Sequence, residues 1–137
     1  MIFREYITLK TKGENDFLDI TEDVRKVVRK SGIKDGLVNI FVIGSTAAVT
    51  TIEYESGLVY DLASALARIA PADIYYKHHE RWGDDNGRSH VKASIIGPSL
   101  TVPLVNGELL LGTWQQIVFL ELDTRPRSRK VLVTVIG

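Results

Sequence analysis

Along residues 2–10 apolar and charged positions alternate, Phe3, Tyr6 and Ile7 being interleaved with charge, and Lys12-Gly13 ends the run; this is the period of a strand. Ile20, Val24, Val27 and Val28 then fall at i, i+4, i+7, i+8, the stripe of a helix, with Thr21 placed to cap it and Gly32 where a C′ residue belongs. After the Asp35-Gly36 turn, Leu37 to Ile43 is too short and too β-branched for a free helix and reads as a buried strand. Gly44-Ser45-Thr46 leads into a second strand from Ala47 to Tyr54, which Gly57 breaks. Leu58, Leu62, Ala65, Leu66 and Ile69 predict a helix over 58–69, closed by Pro71. Residues 77–89 lack apolar periodicity, and their Gly-Asp-Asp-Asn-Gly cluster is loop chemistry; Ser89 could cap a short helix from His90 to Ile96, a stretch that also suits a strand. The rest reads as strand and turn: 100–105, a type I′ turn at Asn106-Gly107, 108–122, 125–129 and 131–136, with Pro103 marking an edge. The expectation is a single compact α+β domain over residues 1–137, a largely antiparallel sheet with two main helices.

Composition narrows the chemistry. The chain has no Cys, which excludes a disulfide scaffold, a thiol nucleophile and thiolate-held metal clusters. Its 17 Lys+Arg balance 17 Asp+Glu, so no bulk charge is left to displace counterions from phosphates, and nucleic acid is not an expected partner. No apolar run approaches the roughly 20 residues of a spanning helix, and no membrane association is expected. The first residues mix acid and base without an apolar core, unlike a secretory signal, so the expected location is the cytoplasm.

The polar centre is the window holding all three histidines, His78, His79 and His90, with Glu80, Asp84, Asp85 and Asn86. Imidazole and carboxylate together suit a zinc-like ion, although the spacing matches no standard zinc signature and a solvated loop has the same composition. In an extended segment His78 and His79 would point opposite ways, leaving one a bystander. Glu53 and Glu55, two apart on the expected strand, would share a face with Thr51, as an acid–base pair or simply as solvated carboxylates. Ser45-Thr46 offers hydroxyls at the start of that strand. Gly112-Thr-Trp-Gln-Gln116 combines a flat indole with two amides suited to orienting a polar ligand, of which at most one can face a given pocket. Four cations in Arg125–Lys130 suit a phosphate, or equally a charged hairpin tip that blunts an edge.

The segment His79–His90 (HERWGDDNGRSH), followed by Gly97-Pro-Ser and Gly112-Thr-Trp-Gln115, resembles the signature of the YjbQ-like family, also labelled secondary thiamine-phosphate synthase. The resemblance runs from the Ser45-Thr46-Ala47 strand to Val135-Ile136-Gly137. It implies a compact α+β domain assembled as a homotrimer, with a small polar active site near the subunit contacts. Carried over, the loop His falls on His79, the Asp-Asn pair on Asp85-Asn86, the second His on His90, the strand-end Glu on Glu53 and the Gly-Thr-Trp-Gln on Gly112 to Gln115. The sequence departs at Gly44, where many members have His, so a three-histidine metal site does not transfer. What remains is His79 and His90 with a carboxylate, Asp85 or Glu53, as ligands for a divalent ion such as zinc or magnesium. The implied function is a small-metabolite enzyme acting on a phosphorylated or pyrophosphorylated substrate, with thiamine phosphate formation as its named example. His79, Asp85, His90 and Glu53 would then be catalytic, and Thr46, Asn86, Gln115 and Arg127 would bind substrate. The alternative is a non-catalytic trimer that binds a metabolite or metal.

Overall fold

The alternation over residues 2–10 is realised in full as β1 (Ile2–Lys10), and the helical stripe that follows as α1 (Thr21–Ser31), closed by Gly32 in the left-handed conformation at φ 69°. The computed structural model describes all 137 residues. Between these elements lies β2 (Phe17–Asp19), too short to leave a period in the sequence. Thr21 does not cap the helix it begins. The N-cap position is Ile20; the Asp19 carboxylate just before it accepts the Thr21 N–H at 3.0 Å, while the Thr21 hydroxyl accepts the Ile117 N–H at 2.8 Å and ties the helix to a neighbouring strand.

Next come β3 (Gly36–Ile43), β4 (Ala47–Ile52) and α2 (Ser56–Ile69). The expected strand to Tyr54 stops at Ile52 because Glu55 is the N-cap of α2, its carboxylate accepting Gly57 N–H at 2.6 Å and Leu58 N–H at 3.0 Å. Glu53 and Glu55 therefore share no strand face. The polar window expected as loop contains α3 (Lys77–Trp82) and the start of α4 (Gly87–Ile96), giving four helices in place of two. α3 buries no residue, so no apolar stripe marked it.

The C-terminal third holds β5 (Ser99–Val105), β6 (Glu108–Leu109), β7 (Gln116–Glu121) and β8 (Ser128–Ile136). Asn106 and Gly107 have φ of 52° and 80°, the two positive values a type I′ turn requires. The expected strand 108–122 is interrupted at 110–115, and Arg125–Arg129 is a turn running into β8 rather than a strand of its own.

Every strand pair is antiparallel. Five strands in the order β1-β8-β3-β5-β6 form one sheet, and β2-β7-β4 form a second. Side-chain alternation in β7 separates two cores: Ile117 and Phe119 join the larger one, with α1 and the inner face of the five-stranded sheet, while Val118 and Leu120 join a smaller one beneath α2 and α4. The result is a single α+β domain with the three-stranded sheet in its middle. β3 is buried on one face only: Val38, Ile40 and Val42 point inward, whereas Leu37, Phe41 and Ile43 are exposed. No helix is long and apolar enough to cross a membrane.

Candidate functional site

α4 carries the polar window into the fold. Its inner face is anchored by Glu14, whose carboxylate accepts Arg88 Nε and Nη2 at 2.9 Å each and Lys92 Nζ at 3.2 Å. Burial works to raise the Glu14 pKa, but these two cations hold it below the usual carboxylate range. The Lys92 ammonium is thereby buried as one half of an ion pair. Gly87 lets the helix begin hard against Tyr76, since a Cβ there would lie 2.7 Å from the Tyr76 Cβ.

Beneath this helix start sits Asp123, a residue to which sequence reasoning gave no role. Its Oδ2 accepts Thr46 Oγ1 at 3.0 Å and the guanidinium of Arg127; its Oδ1 accepts Asn86 Nδ2 at 3.3 Å and the Thr124 N–H at 2.7 Å. Burial would raise the Asp123 pKa, and these donors keep it below its ordinary value. Three of the four residues expected to bind substrate, Thr46, Asn86 and Arg127, thus meet on one buried carboxylate. Next to it a second carboxylate, Glu121, receives Arg129 Nε at 2.8 Å and Nη2 at 2.5 Å, Thr11 Oγ1 at 2.8 Å and the Asp123 N–H at 3.1 Å. Arg129 Nη2 also donates to Thr46 Oγ1 at 2.8 Å. The basic turn is therefore not a free phosphate clamp, because its two central arginines are spent on internal acids. Gly44 belongs to the same arrangement: at φ 153°, any Cβ there would lie 2.8 Å from Arg129 Nη1.

The imidazoles divide differently from the expectation. His78, on α3, lies against His90, on α4, with ring centroids 4.4 Å apart. His78 Nδ1 is 3.5 Å from Asp84 Oδ1 and has no hydrogen-bond partner. Burial and the neighbouring His78 push the His90 pKa below 6.5, opposed by the charges of Asp123 and Asp84. Burial thus favours the neutral imidazole at His90, the form able to accept a proton. His79 instead uses Nδ1 to accept the Asp85 N–H at 3.3 Å, at the side of a small cavity of about 90 Å³ shared with Tyr75, Tyr76 and Gly87. Adjacent residues of a helix diverge by roughly 100°, so α3 turns one imidazole inward and the other away.

The remaining expected residues lie elsewhere. Gln115 folds back on its own turn, accepting Gly112 N–H at 3.0 Å and donating to Thr51 Oγ1 at 3.1 Å, beside a cavity of about 280 Å³ that no charged side chain lines. Glu53 lines a separate groove with Asp19, Glu55, Gln116 and the indole of Trp114, which is 70% exposed. The metal set of His79, His90 and Asp85 does not form: Asp85 is 80% exposed with its carboxylate 4.0 Å from Arg88 Nη1, and nowhere do three His, Asp or Glu side chains converge as a zinc or magnesium site requires.

The chain as a whole is similar to known proteins. The family model described as "UPF0047 protein YjbQ-like" matches residues 5–137. A UPF0047 protein of Methanothermobacter thermautotrophicus is 40% identical over 99% of this chain and 93% of its own length, and one of Archaeoglobus fulgidus is 39% identical over 93% and 96%. Among solved structures, a YbjQ-like protein of unknown function from Sulfolobus solfataricus superposes with a TM-score of 0.90 at 32% identity, covering 100% of this chain and 99% of that one. A YjbQ/UPF0047 family protein from Clostridium acetobutylicum gives 0.87 at 39% identity, with 96% and 99% covered. With a family model spanning nearly its whole length and relatives at 40% identity, this chain belongs to the UPF0047, YjbQ-like family.

Proposed function

We propose that the protein is a small-metabolite enzyme whose proton-transfer groups are His78 and His90, set over the Asp123 cluster. One observation carries this reading: two imidazoles in ring contact at 4.4 Å, one of them pushed by burial toward its neutral form, beside a buried carboxylate whose oxygens are fully engaged. Asp123 stays ionised and positions Asn86, Thr46 and Arg127. His90 accepts a proton, and His78, next to Asp84, delivers or relays one.

Thiamine phosphate formation, the reaction whose name the family resemblance carries, is the first to test. There a thiazole nitrogen attacks a pyrimidine methylene carbon and pyrophosphate departs. Turnover read as pyrophosphate release should fall at least tenfold in His78→Ala and in His90→Ala and be kept in His79→Ala. Activity that survives both of the first two substitutions would sink the enzymatic reading. The second reading, a non-catalytic metabolite-binding trimer, is supported by the internal commitment of every Asp123 and Glu121 oxygen, which leaves only imidazoles free to move protons.

Assembly belongs to the same proposal. The outer face of the five-stranded sheet sets Ile2, Ile136 and Leu37 in one row and Tyr6, Leu132 and Phe41 in another, mostly exposed and covered by no element of the chain. A patch of this kind suits contact with further copies in a cytoplasmic homotrimer.

A further inference from the structure

β4 and β5 flank one cavity without pairing across it. A single backbone bond, from Val49 N–H to Gly97 O at 3.2 Å, joins the two segments at one end, and both strands run N-to-C away from it. Beyond that bond lies the cavity of about 280 Å³, walled by Leu110, Leu111 and Gln115 and open to solvent past the exposed Ser99, Thr101 and Pro103. Register fixes which backbone groups point toward it. Val42 N–H bonds to the opposite Pro98 O, so Leu100 and Val102 turn their N–H and C=O toward β3, while Ser99 and Thr101 turn theirs to the other side. Leu122 N–H bonds to Thr46 O in the β4–β7 ladder, so Ala48 and Thr50 face β7 and Thr51 faces away from it. The N–H and C=O of Thr51 and of Thr101 bond to no other backbone group. Pro103 stands at the same parity as Thr101, where a missing N–H costs the β3 ladder nothing. Free strand edges are normally guarded by charge, and β1, at the outer edge of the five-stranded sheet, carries the exposed Arg4 and Lys10. No charged side chain lines the cleft between β4 and β5.

We infer that this cleft receives an extended, uncharged internal segment of a partner polypeptide, which pairs with both strand edges. An extended backbone matches the cleft because its successive residues direct N–H and C=O to opposite sides, one toward Thr51 and the next toward Thr101. Size agrees. At the spacings of packed sheets one strand residue fills roughly 160 Å³, so about two residues occupy the cavity. Val49, Val102 and Leu111 give the segment an apolar wall. Charge selects its kind: a free dipeptide would bring an ammonium and a carboxylate to a place where no side chain offers a counter-charge, whereas an internal segment brings only amides. Neither His78 nor His90 lines the cleft, so this inference stands apart from the enzymatic reading.

The test titrates the isotope-labelled full chain with a blocked dipeptide, acetyl-Val-Thr methylamide, while the backbone amide resonances of Thr51 and Thr101 are followed. Two further arms use the same peptide methylated on its backbone nitrogens and the free dipeptide with charged termini. Saturable shifts at both threonines are expected with the blocked peptide. They should weaken at least fivefold on methylation, with free termini, and in Thr101→Pro, which removes one edge donor without breaking a bond to β3. Should Thr101→Pro fail to fold by circular dichroism, the methylated peptide decides. Undiminished binding of the methylated peptide overturns the inference, because the edges would then not be what is recognised. Preference for the free dipeptide overturns it too, and makes the cleft a site for small zwitterions. A response confined to one threonine, or absent from both, would mean that water alone satisfies the edges, and the inference falls. Peptide binding that persists in His78→Ala and His90→Ala upholds it whatever happens to turnover.

Discussion

At the scale of single residues the fold depends on charges buried in pairs. Arg129 and Glu121 are both nearly inaccessible and bound through two hydrogen bonds, so removing one strands the other. Arg129→Met should cost about 3–5 kcal/mol of stability by denaturant titration, and adding Glu121→Leu should recover part of it. His90 makes the opposite linkage. Its folded pKa is below 6.5, so as pH falls through 6.5 the unfolded chain takes up the proton first, and stability drops until the folded value is passed. The denaturation midpoint should therefore fall between pH 7.5 and pH 5, by less in His90→Ala. Residue type draws attention to several of the side chains that cluster on Asp123 but not to their pairing. Thr46, Asn86 and Arg127 were identifiable by residue type, whereas Asp123, which joins them, lies far from all but Arg127 along the chain and looked like one more acid before a basic turn. His79 is singled out by the family resemblance alone, whereas the helix over residues 77–82 turns the His78 ring toward His90.

At the scale of elements, periodicity was a sound guide wherever one face was buried. β1, α1 and α2 lie within a few residues of their expected bounds because their apolar spacing is a direct trace of burial. α3 and β2 left no such trace, the one burying nothing and the other being three residues long. The interruption at 110–115 was equally hidden, since Gln115 satisfies its turn through its own side chain. The contact between α4 and its surroundings gives a sharp prediction at this scale. In Gly87→Ala the new methyl would meet Tyr76 at 2.7 Å, inside any normal carbon contact, so the helix start and Tyr76 must move apart. We expect a loss of about 1–3 kcal/mol and disappearance of the His78–His90 coupling in an NMR titration; a variant with both unchanged would show that this helix start is not rigidly seated.

At the scale of the whole molecule, two sheets and four helices enclose two cores but leave the outer rows of the five-stranded sheet uncovered. An exposed sheet face with Phe41 and Tyr6 flanking Leu132 is poorly suited to a free monomer. Sedimentation of the wild-type chain should give three times the monomer mass, and Phe41→Lys with Leu132→Lys should shift it to monomer without unfolding. A wild-type monomer at micromolar concentration would remove the assembly proposal and leave the site untouched.

The central claim is that His78, not its neighbour, shares an electrostatic environment with His90 above Asp123. Titration of the imidazole carbon-bound protons in wild type, His78→Ala and His79→Ala tests it directly. His90 should titrate below 6.5 in wild type, rise when His78 is removed because its like-charged neighbour is gone, and be unmoved by loss of His79. A His90 value that follows His79 and ignores His78 would contradict it.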